Sequence, residues 1–308
     1  MNEGDMLRIK VPGSTANLGP GFDSIGLALG KYLTLEVTLA EELEFFPMDE
    51  HMKDVPSGAD NLIAQVAIQV AKDYGTNLPP CQIKVWSEIP MARGIGSSAS
   101  AIVAGIELAN HLCSLELENN EKLRIASLLE GHPDNVGASV YGGLVIGLHQ
   151  KNGTELVLIN ELDFDIVIVI PPYEVLTSDA RAVLPHTLDY KVAVEASAVS
   201  NMLVAALLTK NWTLAGKMMK SDLLHQPYRE ELIPEIKDVQ QKATEFGAWG
   251  SALSGAGPTL ICFTGNGKGR LLEKQLRNEF PDSEVESVAI DFGGCVVEKL
   301  KTKNRQIL

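Results

Sequence analysis

The stretch Pro90-Met-Ala-Arg-Gly-Ile-Gly-Ser-Ser-Ala-Ser-Ala101 connects a predicted strand to a predicted helix. Before it, Gln82-Ile-Lys-Val-Trp-Ser87 alternates apolar and polar residues, as a half-buried strand does. After it, apolar residues recur at helical spacing over Ile102–Leu112. A strand, a loop rich in glycine and serine, and a helix in this order are typical of a phosphate-binding loop.

The glycines and serines of this loop suit an anion. Gly94 and Gly96 have no Cβ, so the backbone can approach a phosphate closely. Ser97 and Ser98 fall near the helix start, where free N–H groups and the helix dipole favour negative charge. The loop differs from a Walker loop, because no Lys-Ser/Thr pair follows its second glycine, and from the dinucleotide-binding fingerprint. A turn that caps the helix without any ligand is the alternative interpretation of this stretch alone.

The composition is that of a soluble protein with one large or two medium domains. The chain has 308 residues, of which 45% are hydrophobic and 21% are charged. Its formal net charge of −14 argues against nucleic acid as a partner, because that binding requires clustered lysine and arginine. No CxxC pair occurs, so we expect no structural zinc and predict buried free thiols at all four cysteines, Cys81, Cys113, Cys262 and Cys295.

The chain carries no pattern typical of export or membrane insertion. Met1–Leu7 has neither a basic region nor an apolar run, so we expect no signal peptide. The longest unbroken apolar runs, such as Ile166–Pro171, are far shorter than a membrane span. We therefore expect a cytoplasmic protein without a membrane partner.

Two further segments place polar side chains where a ligand could meet them. The turn-rich segment Gly13–Asp23 offers Asn17 and Asp23. The predicted helix Glu121–Glu130 ends in Glu130-Gly-His-Pro-Asp-Asn135, a predicted turn with four polar groups in six positions, which would be costly to bury without a purpose. The spacing does not fit zinc, whereas a magnesium carboxylate would serve a neighbouring phosphate loop.

A second glycine-rich loop follows a change of pattern. We place a domain boundary between Leu156 and Phe164, which divides the chain into residues 1–160 and 161–308. In the second part, Trp249–Phe263 contains Gly255 and Gly257 and runs into a predicted strand.

Taken together, three segments resemble the signature motifs of the GHMP kinases in order and separation: Pro12–Asp23, Pro90–Ala99 and Leu253–Thr259. Within that superfamily the chain is similar to the homoserine kinase family. The features that carry this similarity are Asn17-Leu-Gly-Pro-Gly-Phe-Asp23, the turn His132-Pro-Asp-Asn135 and Thr177-Ser-Asp-Ala-Arg181 with Leu184-Pro185 after it. The resemblance covers essentially the whole chain.

The resemblance implies a fold and a reaction. The fold is α+β, with an N-terminal ribosomal-S5-like domain that binds ATP, a C-terminal ferredoxin-like domain and an active site between them. The reaction is the ATP-dependent phosphorylation of the L-homoserine side-chain hydroxyl, a step of threonine biosynthesis. The chemistry would rest on positioning and on charge neutralisation by Mg²⁺. A homodimer is also expected from the family.

The resemblance also implies which residues hold ATP and Mg²⁺. Ser98 and Glu130 are expected on the metal, and a hydroxyl and a carboxylate are both hard oxygen ligands. With Asn17 they form the expected catalytic set. The residues expected at ATP are Asn61 near the purine, then Met91, Ala92, Arg93, Gly94, Ile95, Gly96, Ser97, Ser98, Ala99, Ser100 and Ala101, and Ser254, Gly255 and Gly257 from the other domain.

Homoserine is a small zwitterion, so its site needs two opposite charges. Arg181 and Arg229 match the carboxylate-binding arginines of the family, and the forked guanidinium suits that geometry. Asp23 is expected to bind the ammonium. The full set of residues expected at the substrate is Asn17, Asp23, His132, Asp134, Asn135, Arg181 and Arg229.

Several alternatives stay open at this point. Asp23 or His132 could act as a general base, although we favour a loose transition state in which the proton leaves to a phosphate oxygen. The substrate could be that of a mevalonate or sugar kinase, but two arginines facing Asp23 favour an amino acid. A non-catalytic metabolite sensor on the same fold would be expected to lack Glu130 or the Ser97-Ser98 pair, which this chain retains.

Overall fold

Two β-sheets organise the chain in the computed structural model, which describes residues 5–49, 52 and 55–301. The predicted lack of a signal peptide rests on Met1–Leu7, of which residues 1–4 lie outside the described range. The strands are β1 Asp5–Ala16, β2 Ile25–Leu39, β3 Glu44–Pro47, β4 Cys81–Ser87, β5 Leu144–Gln150, β6 Gly153–Ile159, β7 Phe164–Ile170, β8 Gly250–Leu253, β9 Leu260–Gly265, β10 Glu284–Val288 and β11 Val296–Lys301.

Ten α-helices flank these sheets within the described residues. They are α1 Leu62–Asp73, α2 Ser97–Leu112, α3 Asn119–Glu130, α4 Asp134–Tyr141, α5 Thr177–Ala182, α6 Tyr190–Leu208, α7 Trp212–Lys220, α8 Gln226–Arg229, α9 Ile236–Glu245 and α10 Gly269–Glu279.

The two sheets have separate strand orders. The first is β11-β1-β2-β4-β3, with β5 paired to β2 and β6 paired to β5, and the second is β10-β7-β9-β8. Neighbouring strands are antiparallel except β3 and β4, which run parallel across α1. This mixture of mainly antiparallel sheet and helix agrees with the predicted α+β class.

The last strand returns to the first sheet. The predicted boundary at residue 160 falls in the connection between β6 and β7, but β11 pairs with β1, from Lys10 opposite Val296 to Asp5 opposite Lys301. Residues 161–308 therefore do not all belong to the second sheet. The sequence pattern does not predict β11, because this edge strand is largely exposed and mixes apolar with charged residues.

Helix α2 gives the phosphate loop a rigid support. Twelve of its residues are buried, including Glu107, whose carboxylate lies 2.8 Å from the Lys122 ammonium. A Cβ on Gly105 would come within 2.7 Å of the Ile63 carbonyl oxygen, so α1 packs on α2 at backbone distance. A helix enclosed in this way holds its first turn in a fixed position.

Helix α4 corrects one prediction. The segment His132–Asn135 is not an isolated turn, because Asp134 and Asn135 form the first turn of α4. A proline just before the helix and an acidic residue in its first turn are the signals that could have indicated it. The start of α4 packs directly on β2, since a Cβ on Gly26 would lie 2.1 Å from the Asp134 carbonyl oxygen.

Helix α6 is much longer than the unbroken apolar runs considered above. An 18-residue window of this 19-residue helix has a mean hydropathy of 1.5, so the helix could cross a membrane by length and composition, although helices of soluble proteins meet the same criterion. Only 22% of this window is buried. The exposed side chains Tyr190, Val194, Met202 and Leu208 fall within a sector of about 120° on one side of the helix.

All four cysteines are free, as predicted. Cys81 and Cys262 are also buried, and burial raises the pKa of both thiols to about 12. Cys113 and Cys295 keep part of their surface exposed to solvent, so the prediction that they are buried is wrong for these two.

Candidate active site

Three loops from both parts of the chain meet at the start of α2. The Ser14 amide donates to the Ile95 carbonyl at 3.1 Å, which joins the first loop to the second. The Gly255 amide donates to the Ala16 carbonyl at 3.2 Å, and the Ser254 hydroxyl lies 2.6 Å from the Gly94 carbonyl oxygen. The three glycine-rich motifs therefore form one continuous surface.

Gly94 and Gly96 are required by this arrangement. Both have positive φ values, 78° and 77°. A Cβ on Gly94 would lie 2.3 Å from the Ser254 carbonyl oxygen, and one on Gly96 would lie 2.4 Å from the Ser14 hydroxyl oxygen. Gly96 precedes α2 and has no side chain to cap it, so the first amides of the helix are open to a ligand.

A polar pocket opens beside these amides. It is bounded by all three loops, the end of α3, the start of α4, and α5 and α8. It brings together all of the predicted substrate-binding and catalytic residues and part of the ATP set. The predicted residues that line it are Asn17, Asp23, Ala92, Gly94, Gly96, Ser97, Ser98, Glu130, His132, Asp134, Asn135, Arg181, Arg229 and Gly255.

A second, mostly apolar cavity of about 250 Å³ adjoins this pocket. Ser97 and Ser98 line both spaces, so the start of α2 separates an apolar chamber from a polar one. The predicted ATP residues at the second cavity are Asn61, Met91, Ser97, Ser98, Ser100 and Ala101. Its apolar wall, which the sequence did not predict, includes Leu33, Met52, Val55 and Ile89.

The remaining predicted ATP residues line neither space. Instead, the Arg93 guanidinium donates to the carbonyls of Pro171, at 2.6 Å, and Tyr173, and so ties the phosphate loop to the end of β7. The side chains of Ile95 and Ala99 lie in the hydrophobic core. The predicted ATP residues that line neither the polar pocket nor the apolar cavity are Arg93, Ile95, Ala99, Ser254 and Gly257.

Ser98 and Glu130 face each other at the junction. The Ser98 hydroxyl donates to Glu130 Oε2 at 3.0 Å. Burial raises the pKa of the Glu130 carboxyl, although the nearby His132 and the Ser98 hydrogen bond oppose that shift. Two hard oxygen donors, one of them a carboxylate held in a poorly solvated position, fit a divalent cation, whose charge would offset the burial.

Asp23 and Arg181 form an ion pair in the pocket. Arg181 Nη2 lies 2.8 Å from Asp23 Oδ1, and Nη1 lies 3.1 Å from Oδ2. The two groups expected at opposite charges of a zwitterion thus already lie at hydrogen-bond distance from one another. A zwitterion could replace this pair charge for charge.

The two asparagine side chains are bonded to protein groups. Asn17 Nδ2 donates to the Gly255 carbonyl at 3.2 Å, and its Oδ1 accepts from the Asp23 amide at 3.0 Å. Asn135 Nδ2 lies 2.9 Å from the Ser14 hydroxyl oxygen. Both asparagines therefore hold the pocket wall together in this structure.

His132 is oriented by Asp134. Its Nδ1 is bonded to Asp134 Oδ1, which also accepts from the Asn135 amide at 2.7 Å. Burial alone would lower the pKa of His132, but the hydrogen bond and charge of Asp134, with Asp23 and Glu130 nearby, raise it above its ordinary value. The imidazole is therefore biased toward its protonated form.

Arg229 is a buried cation that faces the pocket. It is 2% exposed, and it donates to the carbonyls of Ala180 at 3.0 Å and Gly255 at 2.8 Å and to His225 Nδ1 at 3.1 Å. Among the described residues, no carboxylate oxygen lies within 4.0 Å of its guanidinium. Burial, with the positive charge of Arg181, lowers its pKa to about 10, so it stays charged at neutral pH. A buried cation without a carboxylate favours an anionic ligand.

Sequence reasoning missed Phe22 and His225 as parts of the site. The two rings stack with their centroids 5.3 Å apart at 20°, and the guanidinium carbons of Arg229 and Arg181 lie 5.4 Å and 5.6 Å from the Phe22 ring. Phe22 belongs to the motif Asn17–Asp23 and His225 lies four residues before Arg229, but nothing in the sequence showed that the two rings would meet.

Comparison with known proteins agrees with this geometry. Residues 61–143 match the model of the GHMP kinases N terminal domain, and residues 203–282 match that of the GHMP kinases C terminal domain. A homoserine kinase of Bacillus licheniformis is 56% identical over 300 residues, which cover 97% of this chain and 98% of that protein. The chain belongs to the homoserine kinase family of the GHMP kinases. A second member, from Bacillus velezensis, is also 56% identical, over 97% of both chains.

A solved structure of this family has the same fold. The homoserine kinase of Cytophaga hutchinsonii superimposes with a TM-score of 0.85 at 26% identity, covering 97% of this chain and 99% of that one. Family membership confirms the predicted two-domain GHMP kinase architecture and identifies the chain as a kinase that uses ATP.

Proposed function

We propose that this kinase transfers the γ-phosphoryl group of ATP to the side-chain hydroxyl of L-homoserine. The product, O-phospho-L-homoserine, would serve threonine biosynthesis. We also propose that the enzyme acts in the cytoplasm, without nucleic acid or a membrane as a partner. The observation that carries the proposal is the pair of chambers that meet at Ser97 and Ser98. The apolar chamber suits a purine, the open helix start suits a triphosphate, and the polar pocket suits a zwitterion.

The second loop would bind the nucleotide. Asn61 and Met91 stand at the apolar cavity, where the purine would lie. The Gly94–Ser98 backbone offers its amides and the positive end of α2 to the phosphates. Because α2 is buried on most of its surface, these amides are oriented before the ligand binds, which reduces the cost of ordering them.

Ser98 and Glu130 would hold Mg²⁺. A magnesium ion at these oxygens supplies charge neutralisation for the transferred phosphoryl group. The two side chains fit because they are hard oxygen donors already 3.0 Å apart.

The polar pocket would orient homoserine by its charges. Arg229 and Arg181 would bind the carboxylate, and Asp23 would bind the ammonium. The substrate would then substitute for the Asp23–Arg181 ion pair, so that neither group loses its counter-charge when the zwitterion binds.

The substrate hydroxyl would lie near His132, and we propose that no protein base removes its proton. The Asp134 carboxylate holds the imidazole, and the raised pKa of His132 favours its protonated form, which donates hydrogen bonds and is poorly suited to accept a proton. A loose phosphoryl-transfer transition state needs little help from a base, and the proton can pass to a phosphate oxygen. Asn17 and Asn135 would contribute by keeping the pocket wall in place.

A coupled assay of ADP release with L-homoserine, mevalonate and galactose tests the substrate. We expect turnover with homoserine that exceeds the other two by at least about 100-fold in kcat/KM, because only homoserine satisfies both charges. Preferred turnover of mevalonate or galactose would contradict the assignment. Binding of ADP without turnover of any of the three would favour a sensor.

We also propose that the chain forms a homodimer, as the family resemblance implies, through the exposed apolar side of α6. Light scattering is expected to give twice the chain mass of 33.2 kDa, and Met202→Glu is expected to give the single mass. Lys274→Glu, an exposed change on α10, serves as the control and should leave the dimer intact. A monomeric wild-type protein would contradict this proposal.

A further inference from the structure

His225 lies between Gly19 of the first loop and Arg229, and its side chain is 0% exposed. Its Nε2 is 2.9 Å from the Gly19 carbonyl oxygen, and its Nδ1 is 3.1 Å from Arg229 Nη1. A carbonyl only accepts and a guanidinium only donates, so the ring must donate through Nε2–H and accept at Nδ1. These contacts define one neutral tautomer, which agrees with burial lowering the pKa of His225 to about 4.

Hydrogen bonds from Asp222 and Gln226 hold the backbone around His225 in place. Asp222 accepts from the amides of Leu224 and Gln226, both at 2.8 Å. The Gln226 side chain accepts from the Leu253 amide at 2.8 Å and donates to the Met219 carbonyl at 3.0 Å. Leu253 ends β8, directly before the third loop, so these hydrogen bonds attach the segment that carries His225 and Arg229 to that loop.

The face of the imidazole is fixed as well. The Phe22 ring stacks on it at 5.3 Å and 20°, and Phe22 belongs to the same loop as Gly19. His225 therefore touches the first loop twice, once through its ring edge and once through its face. Its remaining ring nitrogen reaches the guanidinium that faces the pocket.

We propose that His225 is a positioning residue for homoserine. Acting through Arg229, it sets the orientation of the guanidinium fork toward the substrate carboxylate. Acting through Gly19, it holds the loop of Asn17 and Asp23 at the matching distance. This inference rests on the proposed function, because it assigns His225 to the binding of that substrate. It predicts an effect on homoserine and none on ATP, since His225 lines neither the apolar cavity nor the helix start.

Three substitutions separate the two contacts. In His225→Asn the amide oxygen can take the place of Nδ1 as the acceptor for Arg229, and in His225→Gln the amide nitrogen can take the place of Nε2–H as the donor to Gly19. His225→Phe keeps a ring against Phe22 but removes these two hydrogen bonds, together with the 3.3 Å approach of Nε2 to Asp222 Oδ2. The measurements are KM for homoserine, KM for ATP, kcat and the melting temperature of each variant.

We expect His225→Phe to raise KM for homoserine about tenfold, as the loss of one charge-assisted hydrogen bond does, while KM for ATP changes less than about twofold. His225→Asn should return KM for homoserine to within about threefold of wild type, and His225→Gln should not. In an Arg229→Lys background, His225→Phe should raise KM for homoserine by a smaller factor than it does alone, because the part of its effect that passes through the guanidinium is already lost.

Equal increases of KM for homoserine in the Asn, Gln and Phe variants, or a parallel increase of KM for ATP, would overturn the inference and leave His225 with a purely structural role. If His225→Phe does not fold, the contrast between Asn and Gln still decides. Wild-type enzyme that fails to phosphorylate homoserine would overturn the proposed function itself. Wild-type turnover with an unchanged KM in all three variants would overturn only the role of His225.

Discussion

Glu130→Gln is expected to reduce kcat to below about 1% of wild type, which is the magnitude seen when one charge-stabilising group is removed from an active site. Gln keeps the shape of the side chain and an oxygen that can accept from Ser98, so the substitution removes little except the negative charge. Without that charge, the proposed magnesium position loses its carboxylate ligand. Steady-state ADP release measures the loss.

Calorimetry separates the metal role of Glu130 from a folding effect. Wild-type protein should bind ATP more tightly with Mg²⁺ than with EDTA, and in Glu130→Gln this difference should largely vanish. Glu155→Gln, an exposed substitution on β6, is the matched control and should behave as wild type. Near-normal turnover of Glu130→Gln would remove this residue from the metal site.

Arg229→Ala is expected to raise KM for homoserine by one to two orders of magnitude, which corresponds to roughly 1.5–3 kcal/mol for a charge-assisted hydrogen bond. The guanidinium is buried and has no carboxylate within 4.0 Å among the described residues, so the substrate carboxylate would be its counter-charge. KM for ATP should change little, because Arg229 does not line the apolar cavity.

Arg229→Lys serves as the charge-preserving comparison. It keeps a cation but loses the fork that contacts Ala180, His225 and Gly255, so its KM for homoserine should lie between those of wild type and Arg229→Ala. Arg270→Ala, at an exposed position on α10, controls for the loss of a positive charge. An unchanged KM in Arg229→Ala would exclude this residue from the substrate site.

The sequence was informative where chemistry is local. The Gly94–Ser98 loop could be predicted because its glycines, its serines and the helix after it are adjacent in the chain. The cap of α1 is local in the same sense, because Asn61 directly precedes the helix and its Oδ1 accepts from the Ile63 amide at 2.9 Å. The charges of the substrate pocket came from resemblance to the family, since Asp23 and Arg181 are far apart in sequence.

Other features depend on tertiary packing and left no local signal. Arg229 is a buried cation and not a solvated surface residue because α8 packs against the Gly255 loop. The pairing of Asp23 with Arg181 and the contact of His225 with Gly19 join residues from different parts of the chain. Strand β11 was missed because an exposed edge strand needs no marked apolar alternation.

The Asp23–Arg181 pair connects the fold to substrate choice. It joins the first loop to α5, and a ligand that carries only one charge would break the pair while satisfying one partner. The unsatisfied group would then lose a charge-assisted contact in a confined pocket. We therefore interpret this ion pair as part of the preference for a zwitterion.

Identification of the product by ³¹P NMR and mass spectrometry, after the wild-type enzyme is incubated with ATP, Mg²⁺ and L-homoserine, tests the proposed reaction most directly. We expect one phosphorylated amino acid, with the phosphate on the side-chain oxygen, formed in equal amount to ADP. Formation of ADP and inorganic phosphate without phosphohomoserine, or phosphate on another atom of the substrate, would contradict it.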